Sequence, residues 1–231
     1  MLISRAWALL WLPLAVAVLP QDEPQTGTGE LTGRIEIAGP GGAATPAAGA
    51  VLWLPGQPTA APVTASATVT QKDKRFDPHV LVVSKRTPVH FPNLDKIFHN
   101  VFSLSPGNEF DLGLYRGGKS KDFQLNAPGL VRIYCNIHAQ MAAYVMVLDG
   151  SWAYAVTDAQ GRYRIAGIRE GRREVRVWHE RSGEHTASVE VVHGRAATLD
   201  LSLDATSRLE TAHKNKYGED YPPVKDDADR Y

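Results

Sequence analysis

This chain has a single cysteine and no excess of charge of either sign, and each of these facts narrows the classes of protein to which it can belong. One cysteine, Cys135, excludes an intrachain disulfide framework, zinc ribbons and cysteine-ligated iron–sulfur clusters, which need several thiolates. The 25 basic and 25 acidic residues balance, so composition gives no argument for nucleic acid as a partner or for a polybasic membrane anchor. Hydrophobic runs of membrane-segment character are confined to the N-terminal stretch.

Residues 1–20 have the pattern of a secretory signal peptide. Arg5 precedes an apolar run over residues 6–19, and an Ala-Val-Ala sequence at 15–17 offers a cleavage site. The run is short for a membrane span, although an uncleaved anchor is the alternative. We therefore expect a periplasmic or otherwise exported protein with no stable membrane insertion after cleavage.

The stretch 131–146 carries the chemistry. It places Cys135, His138 and Met141 at C-x-x-H-x-x-M spacing between two strand-like runs, and His99 begins another such run upstream. One thiolate, two imidazoles and a weak thioether form the ligand set of a blue-copper site, which serves both Cu(II) and Cu(I). The pattern predicts one copper ion held by these four residues, and metal binding would also protect a thiol that is otherwise open to oxidation.

Each of these residues also has an ordinary explanation. A buried cysteine alone is a small hydrophobe, a single histidine is usually structural, and methionine commonly fills gaps in a core. The combination favours the metal. Asn100 could bridge the two ligand loops, with a backbone N–H nearby donating to the Cys135 sulfur, or it could be a polar residue near a turn.

Short strand patterns recur along the whole chain, separated by turn sequences, and no helical period stands out. Predicted strands of a first series lie at 31–37, 50–54, 68–71, 79–83, 88–91, 100–103, 110–114, 121–125, 131–135 and 142–148. A second series lies at 154–157, 162–165, 174–178, 188–192 and 196–203. The sequence predicts an all-β protein, with a Greek-key β-sandwich over about eighty residues around the metal motif.

The segments FPNLD (91–95), HNV (99–101) and YCNIHAQM (134–141) resemble the cupredoxin family over about residues 65–150. The short loop is more similar to that of amicyanin than to that of plastocyanin, and DLG (111–113) resembles a periplasmic subgroup described as methylamine-utilisation-like. The resemblance implies a Greek-key sandwich with one copper ion near its end, in proteins that carry electrons and do not turn over a substrate.

Residues 154–165 and 167–171 resemble the carboxypeptidase regulatory-like domain, a small transthyretin-like β-sandwich. The strands that usually open that domain, here 31–35 and 49–53, precede the cupredoxin-like segment. We therefore predict an insertion, which compact sandwiches with neighbouring termini tolerate. The predicted division is a linker at 21–30, a discontinuous regulatory-like domain at 31–57 and 151–203, a cupredoxin domain at 65–150 and a polar, largely extended tail at 204–231.

The leading functional hypothesis is a one-electron carrier that meets a redox protein partner at the edge of His138, beside Ala139 and Ala142. The alternative is a copper-binding or delivery protein in which the metal is cargo. Enzymatic readings are weaker. A multicopper oxidase needs a His-Cys-His triplet, which the flanks of Cys135 do not supply, and a copper nitrite reductase needs a second copper and a second cupredoxin domain. A Cys/His hydrolase is possible in principle. The other histidines were assigned no metal role: His79 and His90 are predicted to be structural, and His179, His185, His193 and His213 to lie at the surface.

Overall fold

The computed structural model describes residues 27–39, 43–59, 66–205 and 213–221, and within these ranges the chain consists of strands and turns. The first strands are β1 (Thr28–Ala38), β2 (Ala44–Pro46) and β3 (Val51–Pro58). Ten more follow, namely β4 (Ala67–Thr68), β5 (Thr70–Lys72), β6 (Arg75–Asp77), β7 (Val80–Ser84), β8 (Pro88–Pro92), β9 (His99–Ser103), β10 (Phe110–Tyr115), β11 (Ser120–Gln124), β12 (Gly129–Tyr134) and β13 (Ala142–Leu148). The last are β14 (Trp152–Val156), β15 (Arg162–Arg169), β16 (Gly171–His179), β17 (Gly183–Val191), β18 (Ala196–Thr198) and β19 (Leu201–Asp204). The all-β prediction is confirmed.

Strands β1–β3 and β14–β19 form what we call the flanking unit. β1 pairs with β15, β18, β19 and β2, and a second sheet has the order β14-β3-β16-β17. Apolar residues that alternate along these strands meet between the two sheets, including Leu31, Ile35, Leu52 and Val177. The strands on either side of the central segment therefore share two sheets and one hydrophobic core.

Strands β4–β13 form the central unit. A five-stranded sheet of order β10-β9-β12-β13-β7 faces a three-stranded sheet of order β11-β8-β4, and β5 and β6 form a hairpin. Val89 and Phe91 on β8 alternate inward and meet Val131 and Ile133 on β12 in the core. This core ends at the loop that follows β12, which is the loop that carries the metal motif.

The two units meet across a third apolar cluster, and the strands that reach it are buried on both faces. On β13, Ala143 and Val145 point into the central core, whereas Tyr144 and Met146 point into the cluster between the units. The Tyr144 ring lies 5.2 Å from that of Trp178 in the flanking unit. This two-sided burial explains why β13 reads as an uninterrupted apolar run rather than an alternating one.

Two strands are missing from the predicted series, for identifiable reasons. β2 is a short strand whose three side chains are exposed, so it has no apolar pattern to detect. β6 returns to β5 through Asp73 and Lys74, whose φ angles of 53° and 55° form a tight turn that lacks the usual Asn or Gly signal. Strand β1 also begins at Thr28, inside the predicted linker.

Part of the predicted polar tail is ordered against the central unit. Residues 213–221, which we call the C-terminal segment, contact the loop after β12 through side-chain and backbone hydrogen bonds. The tail prediction left room for docking at 217–221, and the ordered part begins earlier, at His213.

The signal-peptide prediction for residues 1–20 falls outside the described residues. Within the described ranges, no helix combines the length and hydropathy that crossing a bilayer would require.

Candidate metal centre

Three of the four predicted ligands come together at one end of the central unit. His99 is the first residue of β9, and Cys135 and His138 lie in the loop between β12 and β13. His99 Nδ1 lies 3.1 Å from His138 Nδ1, and Cys135 Sγ lies 3.5 Å from His138 Nδ1. The three donor atoms all lie within 4.8 Å of one another, and among the described His, Cys, Asp and Glu residues this is the group placed to hold a metal.

The loop itself is closed by its own backbone. The amide of Cys135 donates to the carbonyl of Met141 at 3.2 Å, and the amide of Met141 donates to the carbonyl of His138 at 3.1 Å. These two bonds explain the x-x spacing, because they draw the three functional residues into one compact turn. Met141 is fully buried and packs in the central core, beneath the loop.

Asp95 orients the buried imidazole, and sequence reasoning missed this role. Its Oδ2 accepts a hydrogen bond from His99 Nε2 at 2.7 Å, so the proton is held on Nε2 and the lone pair of Nδ1 faces His138 and Cys135. Asp95 also accepts hydrogen bonds from the backbone amides of Asp73 and Lys74, in the turn between β5 and β6. The i,i+4 spacing of Asp95 and His99 was the available signal, but Asp95 was considered as part of the FPNLD resemblance and not as a partner of His99.

Asn100 bridges the two ligand-bearing segments, which is the first of the two roles that its position suggested. Its Oδ1 accepts the amide of Asn136 at 3.2 Å, and its Nδ2 donates to Asp111 Oδ1 at 2.7 Å. The backbone amides of Asn100, Ile137 and His138 donate to the Cys135 sulfur. Both the amide bridge and the sulfur-directed N–H are therefore present.

Burial favours the neutral forms of the donor groups. It raises the pKa of the Cys135 thiol, against the opposing effect of the amides that point at the sulfur. It also lowers the pKa of His99, although the Asp95 carboxylate acts in the opposite direction. A neutral imidazole is the form that ligates metal, and a coordinated thiol is deprotonated outright.

The donor set fits copper. A single thiolate with two imidazole nitrogens, held at the end of a β-sandwich, is the equatorial set of a blue-copper site, and buried Met141 provides a thioether on the same loop. The position of His99 Nδ1 supports this fit, because it lies 3.1 Å from His138 Nδ1 and within 4.8 Å of Cys135 Sγ. When bound, copper would supply reversible one-electron chemistry.

Two of the four histidines that were predicted to lie at the surface are in the interior. His79 and His90, predicted to be structural, are partly exposed, and each pairs with a carboxylate. His179 and His213, predicted to lie at the surface, are buried. Local patterns failed for these two because the residues that they contact, Ala48 and Tyr134, are distant in the sequence.

The comparisons with known proteins support the predicted family resemblance of the flanking unit more than that of the central unit. The model of the carboxypeptidase regulatory-like domain matches residues 139–204, which supports the resemblance drawn from the sequence. That match leaves out β1–β3, although these strands share their sheets with β14–β19. No curated protein matches the sequence.

Cupredoxins are among the solved structures similar to this chain. A purple cupredoxin from Nitrosopumilus maritimus has 19% identity, with 36% of this chain and 99% of that chain covered and a TM-score of 0.32. A reduced amicyanin variant has 16% identity, with 42% and 97% covered and a TM-score of 0.34. The copper-containing nitrite reductase from Thermus scotoductus SA-01 has 23% identity, with 41% of this chain but 26% of that chain covered and a TM-score of 0.35. The copper interpretation therefore depends on the side chains of the site.

Proposed function

We propose that this chain is an exported mononuclear copper protein that carries single electrons and catalyses no reaction of its own. The observation that supports the proposal most is the convergence of His99 Nδ1, His138 Nδ1 and Cys135 Sγ at the end of the central core. These three would be the equatorial ligands, and Met141 the weak axial one. A one-electron site needs little rearrangement between oxidation states, and a loop closed by its own hydrogen bonds on a β-sandwich supplies that rigidity.

The exposed ligand edge gives the electron its path. His99 is fully buried, whereas His138 is partly exposed and is followed by the partly exposed Ala139. Leu94 and Phe98, in the loop before β9, are exposed apolar residues. We propose that a redox protein partner docks transiently at this end, with Ala142 at the rim, and that electrons pass through the His138 imidazole.

The decisive experiment is visible absorption of the Cu(II)-loaded protein. Wild type should show an intense thiolate-to-copper band that Cys135→Ala abolishes, together with reversible one-electron reduction. Met141→Leu should keep the band but change the reduction potential, whereas Met146→Leu is the matched control because Met146 faces the contact between the units. A folded wild-type protein without the band would contradict the proposal.

Copper delivery is the second candidate. The thiolate and thioether donors also suit Cu(I), and the partial exposure of His138 gives a handed-over ion a route in and out. The two candidates differ in the rate of metal release. Slow release to a Cu(I) chelator supports the carrier, and rapid transfer to a copper-accepting protein supports delivery.

From the signal-peptide pattern of residues 1–20 we propose that the protein is exported to the periplasm or out of the cell. The expected outcome is a mature chain that begins after the Ala-Val-Ala sequence at 15–17 and is recovered from the exported fraction. N-terminal sequencing of the expressed protein measures this directly. A chain retained in the membrane with its N terminus intact would instead support the uncleaved anchor.

We also propose that the cupredoxin domain, residues 65–150, is inserted into a regulatory-like domain formed by 31–57 and 151–203. Support comes from β1 pairing with β15 and from β3 pairing with β14 and β16. A fragment of residues 151–231 lacks these partners and should not fold cooperatively in a urea titration. A cooperative transition of that fragment would contradict the insertion.

A further inference from the structure

The C-terminal segment reaches the backbone of the predicted thiolate ligand. Tyr221 Oη donates to the carbonyl oxygen of Cys135 at 2.6 Å, across a sequence separation of 86 residues. β12 ends at Tyr134, so the Cys135 carbonyl lies just beyond the sheet ladder, where side chains must satisfy the backbone. Tyr221 thus completes the hydrogen bonding of the residue that carries Sγ.

His213 anchors Tyr221 in this position. Its ring is buried and stacks on the ring of Tyr134, with centroids 4.1 Å apart and an interplanar angle of 22°. His213 Nδ1 lies 3.2 Å from Tyr221 Oη, and the two rings meet edge to face at 5.1 Å. The segment therefore contacts both the side chain before Cys135 and the carbonyl of Cys135 itself.

Lys216 extends the attachment to the ligand loop and to β10. Its backbone amide donates to Asn136 Oδ1 at 2.9 Å, and its Nζ donates to Asp111 Oδ2 at 2.6 Å. Asn136 and Asp111 are the two partners of the Asn100 side chain. Four residues thus form a closed ring of hydrogen bonds that joins β9, β10, the ligand loop and the C-terminal segment.

A turn within the segment presents these groups together. Asn215 Oδ1 accepts the amides of Tyr217 and Glu219, and the amide of Asn215 donates to the Glu219 carbonyl. Tyr217 in this turn is 71% exposed, and its ring centroid lies 5.2 Å from Lys216 Nζ, a contact that phenylalanine would keep. Tyr217 and Tyr221 therefore suit a comparison, because Tyr217 is mostly exposed whereas the hydroxyl of Tyr221 is bonded to the loop.

We propose that the C-terminal segment is a clamp that holds the Cys135 loop in its metal-binding shape and limits access to the thiol, with Tyr221 as its positioning residue. Two backbone hydrogen bonds close the loop from within, and the clamp holds it from outside. Its effect on a bound copper ion rests on the proposed function. Its effect on the metal-free thiol does not.

The test compares Tyr221→Phe with Tyr217→Phe in the full chain. In the metal-free protein, the reaction of Cys135 with the thiol reagent 5,5′-dithiobis(2-nitrobenzoate) should be roughly three- to tenfold faster in Tyr221→Phe, the range expected for one lost hydrogen bond. Tyr217→Phe should react like wild type. His213→Ala, which removes the stack on Tyr134 and the edge-to-face contact with Tyr221, should accelerate the reaction at least as much as Tyr221→Phe.

A second readout uses Cu(II)-loaded protein. Tyr221→Phe should shift the thiolate-to-copper band or the reduction potential, and Tyr217→Phe should shift neither. A wild-type thiol rate in both Tyr221→Phe and His213→Ala would overturn the proposal, as would a rate increase matched by an equal loss of global stability in urea. Absence of the copper band in wild type would remove the proposed metal function but leave the thiol comparison intact.

Discussion

The two units of this chain use buried polar side chains in different ways. In the flanking unit, Thr157 accepts the amide of Ala50 at 2.8 Å, and Gln57 contacts the carbonyl of Gly167 at 3.3 Å. Such bonds satisfy backbone groups and fasten one strand to another. In the central unit, by contrast, buried side chains at one end face one another.

That contrast locates the chemistry. His99 and Cys135 are fully buried, yet their donor atoms lie within 4.8 Å of each other and of the donor atom of His138. On the other side of the His99 ring, a carboxylate oxygen of Asp95 accepts a hydrogen bond from Nε2. The buried polar side chains of the flanking unit stabilise its sheets. Those at the end of the central unit instead bring a set of donor atoms together.

The largest expected effect tests whether the two cores are independent of each other. Leu52→Ala, in the flanking core, should lower the free energy of unfolding of metal-free protein by about 2–5 kcal/mol, because it leaves a cavity among fully buried neighbours. Its copper band should stay where it is in wild type. Ile133→Ala, in the central core two residues before Cys135, should cost a similar amount and also displace the band. Urea titration and visible spectra measure both, and a displaced band in Leu52→Ala would show that the flanking core shapes the site.

A smaller effect separates the His–Asp pair of the site from a similar pair elsewhere in the same unit. Asp95→Asn should weaken copper binding by about 10–100-fold, because one amide cannot accept the three N–H groups that the two carboxylate oxygens now accept. Asp122→Asn is the matched control, since Asp122 pairs with exposed His90 at 2.7 Å. Competition with a copper chelator measures both affinities, and equal losses would refute a special role for Asp95.

The smallest effect concerns the contact between the units. His79 Nε2 pairs with Glu180 at 2.9 Å, and this hydrogen bond is the main reason that the pKa of His79 is raised and that of Glu180 lowered. His179 and Arg181 also lower the pKa of Glu180. The contribution of His79 to stability is complete below its unfolded pKa near 6.5 and is lost as pH rises through its higher folded pKa. The contribution of Glu180 is complete above its unfolded pKa near 4.5 and is lost as pH falls through its lower folded pKa.

His79→Ala should therefore destabilise the protein most between about pH 4.5 and 6.5, and by less than about 1 kcal/mol because the pair is partly exposed. Urea titrations of the variant and wild type across pH 4 to 9 measure the difference. The same loss at pH 9 would show that the packing of the His79 ring against Tyr144 matters more than its charge.

Local sequence patterns predicted most of the strands and the ligand loop. The spacing of Cys135, His138 and Met141 was informative because only a few residues separate them, so two backbone hydrogen bonds are enough to bring the three together. The apolar run of β13 was also visible. What covers its second face was not, because the pattern shows only that both faces are buried.

The linear sequence thus specified the β-class, the ligand loop and the residue types of the four proposed ligands, since these depend on residue type and short-range geometry. Tertiary packing fixed which groups surround the site. His99 enters from another strand, Asp95 accepts a hydrogen bond from its ring, and Tyr221 bonds the Cys135 carbonyl from the C-terminal segment. The positions of His99 and Tyr221 beside the loop depend on strand register and on the packing of remote segments, which no short-range pattern encodes.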